Sequence, residues 1–116
     1  MQKLDIDFHD SFMFEVKIEK DVLVFIIDID TYWFHGKPFG ILKLKQPNKK
    51  EAKELVRFFN ELATKSIDSI KIEKLPKGYI FKMQFIESSK EKKVNFKSFS
   101  FKRTDKCKKY VHGTYA

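Results

Sequence analysis

The chain has little of what usually marks a secreted or membrane-spanning protein. Its single cysteine, Cys107, cannot form a disulfide within the chain. The longest wholly apolar run, VLVFII at residues 22–27, is far too short to cross a membrane as a helix. The first residues are acidic where a secretory signal needs an apolar stretch. We therefore expect a soluble, intracellular and cytoplasmic protein with no membrane partner.

Glycine and arginine are also scarce, and this limits the chemistry that the chain can carry. None of the 4 glycines stands in a glycine-rich phosphate loop. Arg57 and Arg103 are the only arginines among 24 basic residues, and lysine lacks the planar fork that reads guanine edges. The sequence also contains no zinc spacing, nucleophile motif or pair of catalytic acids. We expect no enzyme activity and no cofactor.

Aromatic residues and positive charge are abundant instead. The chain has 13 phenylalanines in 116 residues and is 42% hydrophobic, which predicts one domain with a single core. The net charge of +8 is uneven, since residues 1–47 hold 6 lysines and 8 acids while residues 48–116 hold 18 basic residues and 8 acids. Such a split is typical of proteins with an anionic partner, although excess lysine also keeps a domain soluble.

Residues 12–29 predict a β-hairpin on which the rest of the fold is organised. In the first strand Phe12, Phe14, Val16 and Ile18 alternate with more polar residues, so one face is predicted to be apolar. Lys20-Asp21 supplies the turn. The apolar run that follows predicts a central strand covered on both faces, and residues 41–45 predict a short third strand.

The second half of the chain predicts one helix followed by further strands. Asn48 as N-cap and Glu51 three residues later resemble a capping box that starts a helix over residues 48–63. Residues 67–86 predict a hairpin with its turn at residues 75–78. Residues 94–102 predict a last strand, in which a β-bulge near Ser98 would bring four apolar side chains to one face: Val94, Phe96, Phe99 and Phe101.

These elements predict the α+β class, with one antiparallel sheet of about six strands in the order βββαβββ and the amphipathic helix packed on one face. Residues 1–102 are predicted to form a single domain. Residues 103–116 are predicted to form a basic, flexible tail.

Two groups of residues are candidate binding surfaces. Aromatic residues after the second strand and on the helix would form a protein interface if exposed together, or would cap the core: Tyr32, Trp33, Phe34, Phe39 and Phe58. Residues 93–109 interleave basic and aromatic side chains, as do proteins that pair with phosphates and stack on bases. Their candidate contact residues are Lys93, Lys97, Phe99, Phe101, Lys102, Arg103, Lys106, Lys108 and Lys109.

An alternating pattern near the start of the chain places two carboxylates and an imidazole on one face of a strand. Asp5, Asp7 and His9 could hold a divalent metal ion, and a metal-dependent enzyme is therefore an alternative. The same pattern is typical of the solvated face of an edge strand, and on that interpretation no metal is bound.

The element Phe8-His9-Asp10-Ser11, followed by a hairpin whose second strand is DVLVFIIDID, resembles the opening of a group of small bacterial proteins. In that group an "HDS" or "HDA" element precedes a β-meander, and several members are immunity proteins of polymorphic toxin systems. The resemblance covers about the first thirty residues and the general order of strands. It implies a stand-alone α+β domain without catalysis that binds and blocks a toxin, with His9 and Asp10 matching the motif.

The sequence thus predicts a small non-enzymatic domain whose partner is another protein, which it binds or inhibits. A lysine-rich nucleic-acid-binding module is the alternative. The positions of the aromatic rings separate the two. An exposed patch of Trp33, Phe34, Phe39 and Phe58 would favour a protein, and exposure of Phe99 and Phe101 among lysines would favour nucleic acid.

Overall fold

The computed structural model describes residues 8–29, 37–88 and 90–105, and the backbone of two short strands at residues 110–111 and 114–115. In chain order the elements are β1 (Phe12–Glu19), β2 (Val22–Asp28), β3 (Phe39–Lys45), α1 (Lys49–Glu61), β4 (Ile67–Lys74), β5 (Tyr79–Phe85), β6 (Glu91–Phe96), β7 (Ser98–Thr104), β8 (Tyr110–Val111) and β9 (Thr114–Tyr115). The α+β class is as predicted. The strands from β1 to β7 form two sheets, however, and not one sheet of about six strands.

The first sheet contains four antiparallel strands in the order β1-β2-β3-β7. The central position of β2 is confirmed, because the five residues from Leu23 to Ile27 are all buried. A strand with neighbours on both edges and cover on both faces has no place for a polar side chain, which is why this run has none.

The alternation predicted for β1 is wrong in its first half. The pairing of β1 with β2 shifts between Met13 and Glu15, where the extra residue forms a β-bulge. Met13 is consequently fully buried while Phe14 is only partly buried. After the bulge Val16 faces the core as predicted, but Ile18 reaches the open end of the sheet and is 41% exposed.

The second sheet contains three antiparallel strands in the order β4-β5-β6 and includes the predicted hairpin at residues 67–86. Its inner face meets the inner face of the first sheet. Between them the Phe25 and Phe81 rings stack with centroids 4.7 Å apart. The core therefore lies between two sheets, and the outer faces of these sheets point in opposite directions.

The helix α1 begins as predicted and packs against β1 and β6. The Asn48 side-chain oxygen accepts a hydrogen bond from the Glu51 N–H at 3.0 Å, which caps the helix. The apolar stripe is buried at Ala52, Leu55 and Phe59. This helix has 13 residues. No helix in the described part of the chain is both long enough and apolar enough to cross a membrane.

The two sheets are joined at two corners. The first corner comprises residues 8–11 and 66–68. There Phe12 bridges to Ser66, the Asp10 N–H donates to the Ile67 carbonyl oxygen at 3.0 Å, and the Ile67 N–H donates to the Ser11 carbonyl oxygen at 2.7 Å.

The second corner comprises residues 45–48 and 95–97. Lys97 lies between β6 and β7, so one stretch of chain passes from the second sheet into the first. Its N–H donates to the Lys45 carbonyl oxygen at 3.0 Å, and the Asn48 N–H donates to the Asn95 carbonyl oxygen at 2.7 Å.

This crossing explains the change of phase that the sequence analysis attributed to a bulge near Ser98. Val94 and Phe96 end β6 facing the core from the second sheet, and Phe99 faces it from the first. Phe101 packs against the same core. The four side chains do point inward together, but they do so from two sheets.

The end of the chain contains a further pair of strands, in which β8 pairs with β9. The strand β7 ends at Thr104. The division into residues 1–102 and a flexible tail over 103–116 stays a prediction.

Candidate functional site

The predicted protein interface can be located only in part. Tyr32, Trp33 and Phe34 lie outside the described residues. Phe39 opens β3 and is 8% exposed. Phe58 is partly buried: its ring lies 6.1 Å from the Phe85 ring, and the Lys92 ammonium lies 4.5 Å from its centroid. Both residues contribute to packing, and the interface of these five residues stays a prediction.

The predicted nucleic-acid contacts do not share one surface. Phe99 is 8% exposed. Phe101 is partly buried, and its ring meets the Phe8 ring edge to face at 6.0 Å. Base stacking needs an accessible ring face, so the condition under which Phe99 and Phe101 would favour nucleic acid is not met. A nucleic-acid interface would have to rely on other residues.

The basic residues of the same stretch are separated as well. Lys93 and Lys97 are exposed on the second sheet and at the second corner. Lys102 pairs with Ile41 on the outer face of the first sheet, on the opposite side of the core. The Arg103 Nε–H donates to the Lys37 carbonyl oxygen at 2.8 Å. Lys106, Lys108 and Lys109 lie outside the described residues.

The HDS element forms the first corner. Phe8 and Ser11 are each 1% exposed, and Asp10 adopts a left-handed φ of 66° between them. His9 Nδ1 lies 3.1 Å from Asp68 Oδ1, and its Nε2 lies 3.5 Å from Asp10 Oδ1. A hydrogen bond to the Asp68 backbone oxygen, and then the Asp10 carboxylate, raise the pKa of His9. The motif thus holds two sheets together.

These contacts do not test the predicted metal face, because Asp5 and Asp7 lie outside the described residues. Among the residues that are described, no group of three or more His, Cys, Asp or Glu side chains could hold a metal ion. The metal site stays a prediction, with His9 directed toward Asp68 at 3.1 Å.

The outer face of the second sheet carries three lysines abreast, here named the lysine row. Lys71 on β4 lies opposite Lys82 on β5, which lies opposite Lys93 on β6. Since neighbouring strands are about 4.8 Å apart, three like charges are attached within about 10 Å. Glu73 lies 3.0 Å from Lys82 and Glu91 lies 3.8 Å from Lys93. Lys71 has no ion-pair partner among the described residues.

Two members of the lysine row were missed in the sequence analysis, although a signal for them exists. Lys71 and Lys82 lie at equal distances from the turn at residues 75–78, so the register of the hairpin alone places them opposite each other. The position of Lys93 could not be found in this way, because the length of the connection from β5 leaves the register of β6 open.

A groove of about 650 Å³ opens at the second corner. One wall is formed by residues 46–48, which connect β3 to α1. The other wall is formed by Lys77 and Gly78 in the β4–β5 turn, and residues 95–97 form the floor. The volume is within the range of small-molecule sites in proteins.

Backbone geometry holds the groove in shape. Gly78 has φ of 82°, and a Cβ atom there would lie 2.6 Å from the Phe96 carbonyl oxygen. Gln46 has φ of 50°, and its N–H donates to the Asp21 carbonyl oxygen at 2.9 Å. Non-glycine residues seldom adopt such a conformation, and where they do the surrounding structure must hold them there.

The lysine row leads into the groove along β6. Val94 and Phe96 point into the core, so Lys93 and Asn95 point outward, and Lys97 follows at the end of the strand. At about 3.3 Å per residue, Lys93 and Lys97 are about 13 Å apart. Neither Lys77 nor Lys97 forms an ion pair with a described residue. Row and groove together form an L-shaped basic surface with arms of about 10 Å across the strands and about 13 Å along β6.

Comparisons with known proteins do not identify a family: no family model, curated protein or solved structure matches the chain. The functional argument therefore depends on the chemistry of the lysine row and the groove.

Proposed function

We propose that the chain is a small non-enzymatic domain that binds nucleic acid by its phosphate backbone, along the lysine row. The observation that carries this proposal is the placement of Lys71, Lys82 and Lys93 directly opposite one another. Like charges directly opposite one another destabilise a sheet. Glu73 and Glu91 offset the repulsion at Lys82 and Lys93, whereas Lys71 has no ion-pair partner among the described residues. An anionic partner with closely spaced charges would convert the remaining cost into binding energy.

The chemistry of lysine fits phosphate better than it fits base edges. An ammonium group is a point charge on a flexible stem, and it pairs with phosphate oxygens without requiring a fixed orientation. Contacts of this kind position a nucleic acid and carry no sequence information. We therefore expect weak discrimination among sequences and strong dependence on salt.

The test is fluorescence anisotropy of a labelled single strand of roughly 12 nucleotides, within the usual site size of small single-strand-binding domains. We expect a Kd of roughly 1–100 μM at near-physiological salt for nuclease-treated protein. The variant Lys71→Gln/Lys82→Gln/Lys93→Gln removes the row. If each lysine neutralises one phosphate, the slope of log K against log salt falls by about 2.

The matched control is Lys43→Gln/Arg57→Gln/Lys102→Gln, which removes the same charge from exposed positions outside the row and groove. Both variants must keep the circular dichroism spectrum and thermal midpoint of the unsubstituted chain. Equal losses of affinity in the two variants would mean that only net charge matters, and the row would not be a site. Absence of binding at near-physiological salt would overturn the proposal.

Binding of another protein is the second candidate, and Ile18 is the observation in its favour. This side chain is 41% exposed in a small pocket of about 160 Å³ whose rim includes Lys20, Lys49 and Lys53. Asp21 also lines this pocket, so three lysines outnumber one acid around the apolar anchor, and this excess suits an acidic protein surface. The resemblance to immunity proteins supports the same role. If oligonucleotides fail to bind, Ile18→Asp is the substitution to examine against a candidate toxin.

A further inference from the structure

We infer that the groove receives an unpaired nucleobase, so that the ligand is single-stranded nucleic acid. This rests on the proposed function, because the lysine row would supply the contacts to phosphate. The groove at the end of that row is a different kind of surface, so its ligand is inferred from the residues that line it.

The groove lies on the path that a bound strand would take. A strand whose phosphates follow Lys93 and Lys97 along β6 runs directly over the groove floor, where Asn95 lies between the two lysines. Lys77 faces the same space from the opposite wall. The bases of that strand would thus pass the groove with phosphate-binding groups on both sides of it.

The lining of the groove matches the chemistry of a base. Pro47 contributes apolar surface, while Gln46, Asn48 and Asn95 contribute amide groups. The Phe96 side chain points into the core and is 5% exposed, so only its backbone side lines the groove. An amide both donates and accepts hydrogen bonds, as the edge of a base does. The Asn95 Nδ2 group donates to Glu51 Oε1 at 3.1 Å, which orients this amide beside the groove.

A duplex would not fill the groove as an unpaired base would. In a duplex the base faces are stacked on each other, so the surface offers phosphates to the lysine row but no apolar face to the groove. An unpaired base offers an apolar face and a polar edge together. Backbone conformations held at Gln46 and Gly78 keep the groove open without a ligand, which lowers the cost of binding.

The experiment compares three labelled ligands of equal length on the full chain: an intact single strand, the same strand without bases, and a duplex. We expect the intact strand to bind about three- to tenfold more tightly than the strand without bases, since a base in the groove would add at least one hydrogen bond. The readout is the ratio of these two affinities, because a change in net charge affects both strands alike.

Gln46→Gly removes the amide and keeps a left-handed backbone, so the ratio should fall about three- to tenfold, the usual effect of one lost hydrogen bond. Asp10→Gly is the matched control, since Asp10 also has positive φ but lies at the first corner. Its ratio should be unchanged.

The outcomes separate the two proposals. If intact strand, strand without bases and duplex bind equally well, no base is held, and the inference fails while the proposed function stands. A high ratio that Gln46→Gly leaves unchanged places the base elsewhere and also overturns the inference. If none of the three ligands binds at near-physiological salt, the proposed function fails and the inference fails with it.

Discussion

The two corners of the molecule have the same structural role, but their side chains make different contacts. Each joins the two sheets, and each contains a non-glycine residue with positive φ, Asp10 in the first corner and Gln46 in the second. In the first corner the side chains are turned to internal contacts: Phe8 and Ser11 are buried, and His9 is held by Asp68. Backbone hydrogen bonds join the sheets at both corners, but in the second corner the Gln46 and Lys97 side chains are exposed.

This difference shows which side chains are available to contact a partner. The HDS element is the most recognisable motif in the sequence, yet its members are occupied in holding β1 to β4. The second corner has no motif, but it leaves Lys77 and Lys97 exposed beside a groove. We therefore expect substitutions at the first corner to alter stability, and substitutions of these lysines to alter binding.

The largest effect is expected for Phe8→Ala. Phe8 is 1% exposed in the core, and removal of a buried phenylalanine ring lowers the free energy of unfolding by about 3–5 kcal/mol. Urea denaturation followed by circular dichroism measures the change. Phe58→Ala makes the same chemical change at a partly buried position, and it should cost clearly less. Equal losses for the two would contradict the anchoring role given to Phe8.

A smaller effect is expected for Gly78→Ala in the groove wall. The added Cβ would contact the Phe96 carbonyl oxygen and would require a side chain at φ of 82°, so we expect a loss of about 1–3 kcal/mol. Gly78→Asn separates the two causes, because asparagine tolerates positive φ but also has a Cβ atom. A denaturation midpoint for Gly78→Ala equal to that of the unsubstituted chain would show that this turn can relax, and that the groove is not rigid.

The smallest effect is expected from the ionisation of His9. Its pKa is raised in the folded chain, so its contribution to stability is complete below about pH 6.5, the usual histidine value, and is lost as pH rises through the folded pKa. The free energy of unfolding of the unsubstituted chain, minus that of His9→Gln, should therefore be larger at pH 5.5 than at pH 8.5.

The range from pH 5.5 to pH 8.5 excludes the titration of Glu87, which is a second group with a shifted pKa. Hydrogen bonds from Thr64 lower the pKa of Glu87, so its contribution is present above the usual carboxylate pKa and is lost only at lower pH. Urea midpoints of the two chains that stay parallel from pH 5.5 to 8.5 would show that His9 does not stabilise the first corner through its charge.

Much of the fold could be predicted because local patterns determine it. The helix follows from its cap and its apolar stripe, and the β4–β5 hairpin follows from a turn between two alternating strands. The division into two sheets could not be predicted, because the change of phase around Lys97 fits a bulge within one sheet as well as it fits a strand that changes sheets. The bulge after Met13 was hidden because the sequence there alternates without a break.

The candidate site was harder to predict than the fold, because its residues are distant in sequence. Reasoning from one stretch grouped Lys93 with Lys102, but the crossing between sheets places them on opposite faces. The alternation of rings and lysines in that stretch also predicts contact residues, but Phe99 and Phe101 belong to the packing of the core. Of the candidate site, only the pairing of Lys71 with Lys82 could be predicted from the sequence.

The pairing of β3 with β7 also has a consequence for how the chain folds. It joins residues as far apart as Phe39 and Thr104, and pairings of such long range are slow to form because a large loop must be closed. The β4–β5 hairpin is local, so Lys71 and Lys82 can meet early. The groove requires the second corner and hence the docking of β7. We therefore expect a folding chain to acquire its affinity for phosphate before its affinity for bases.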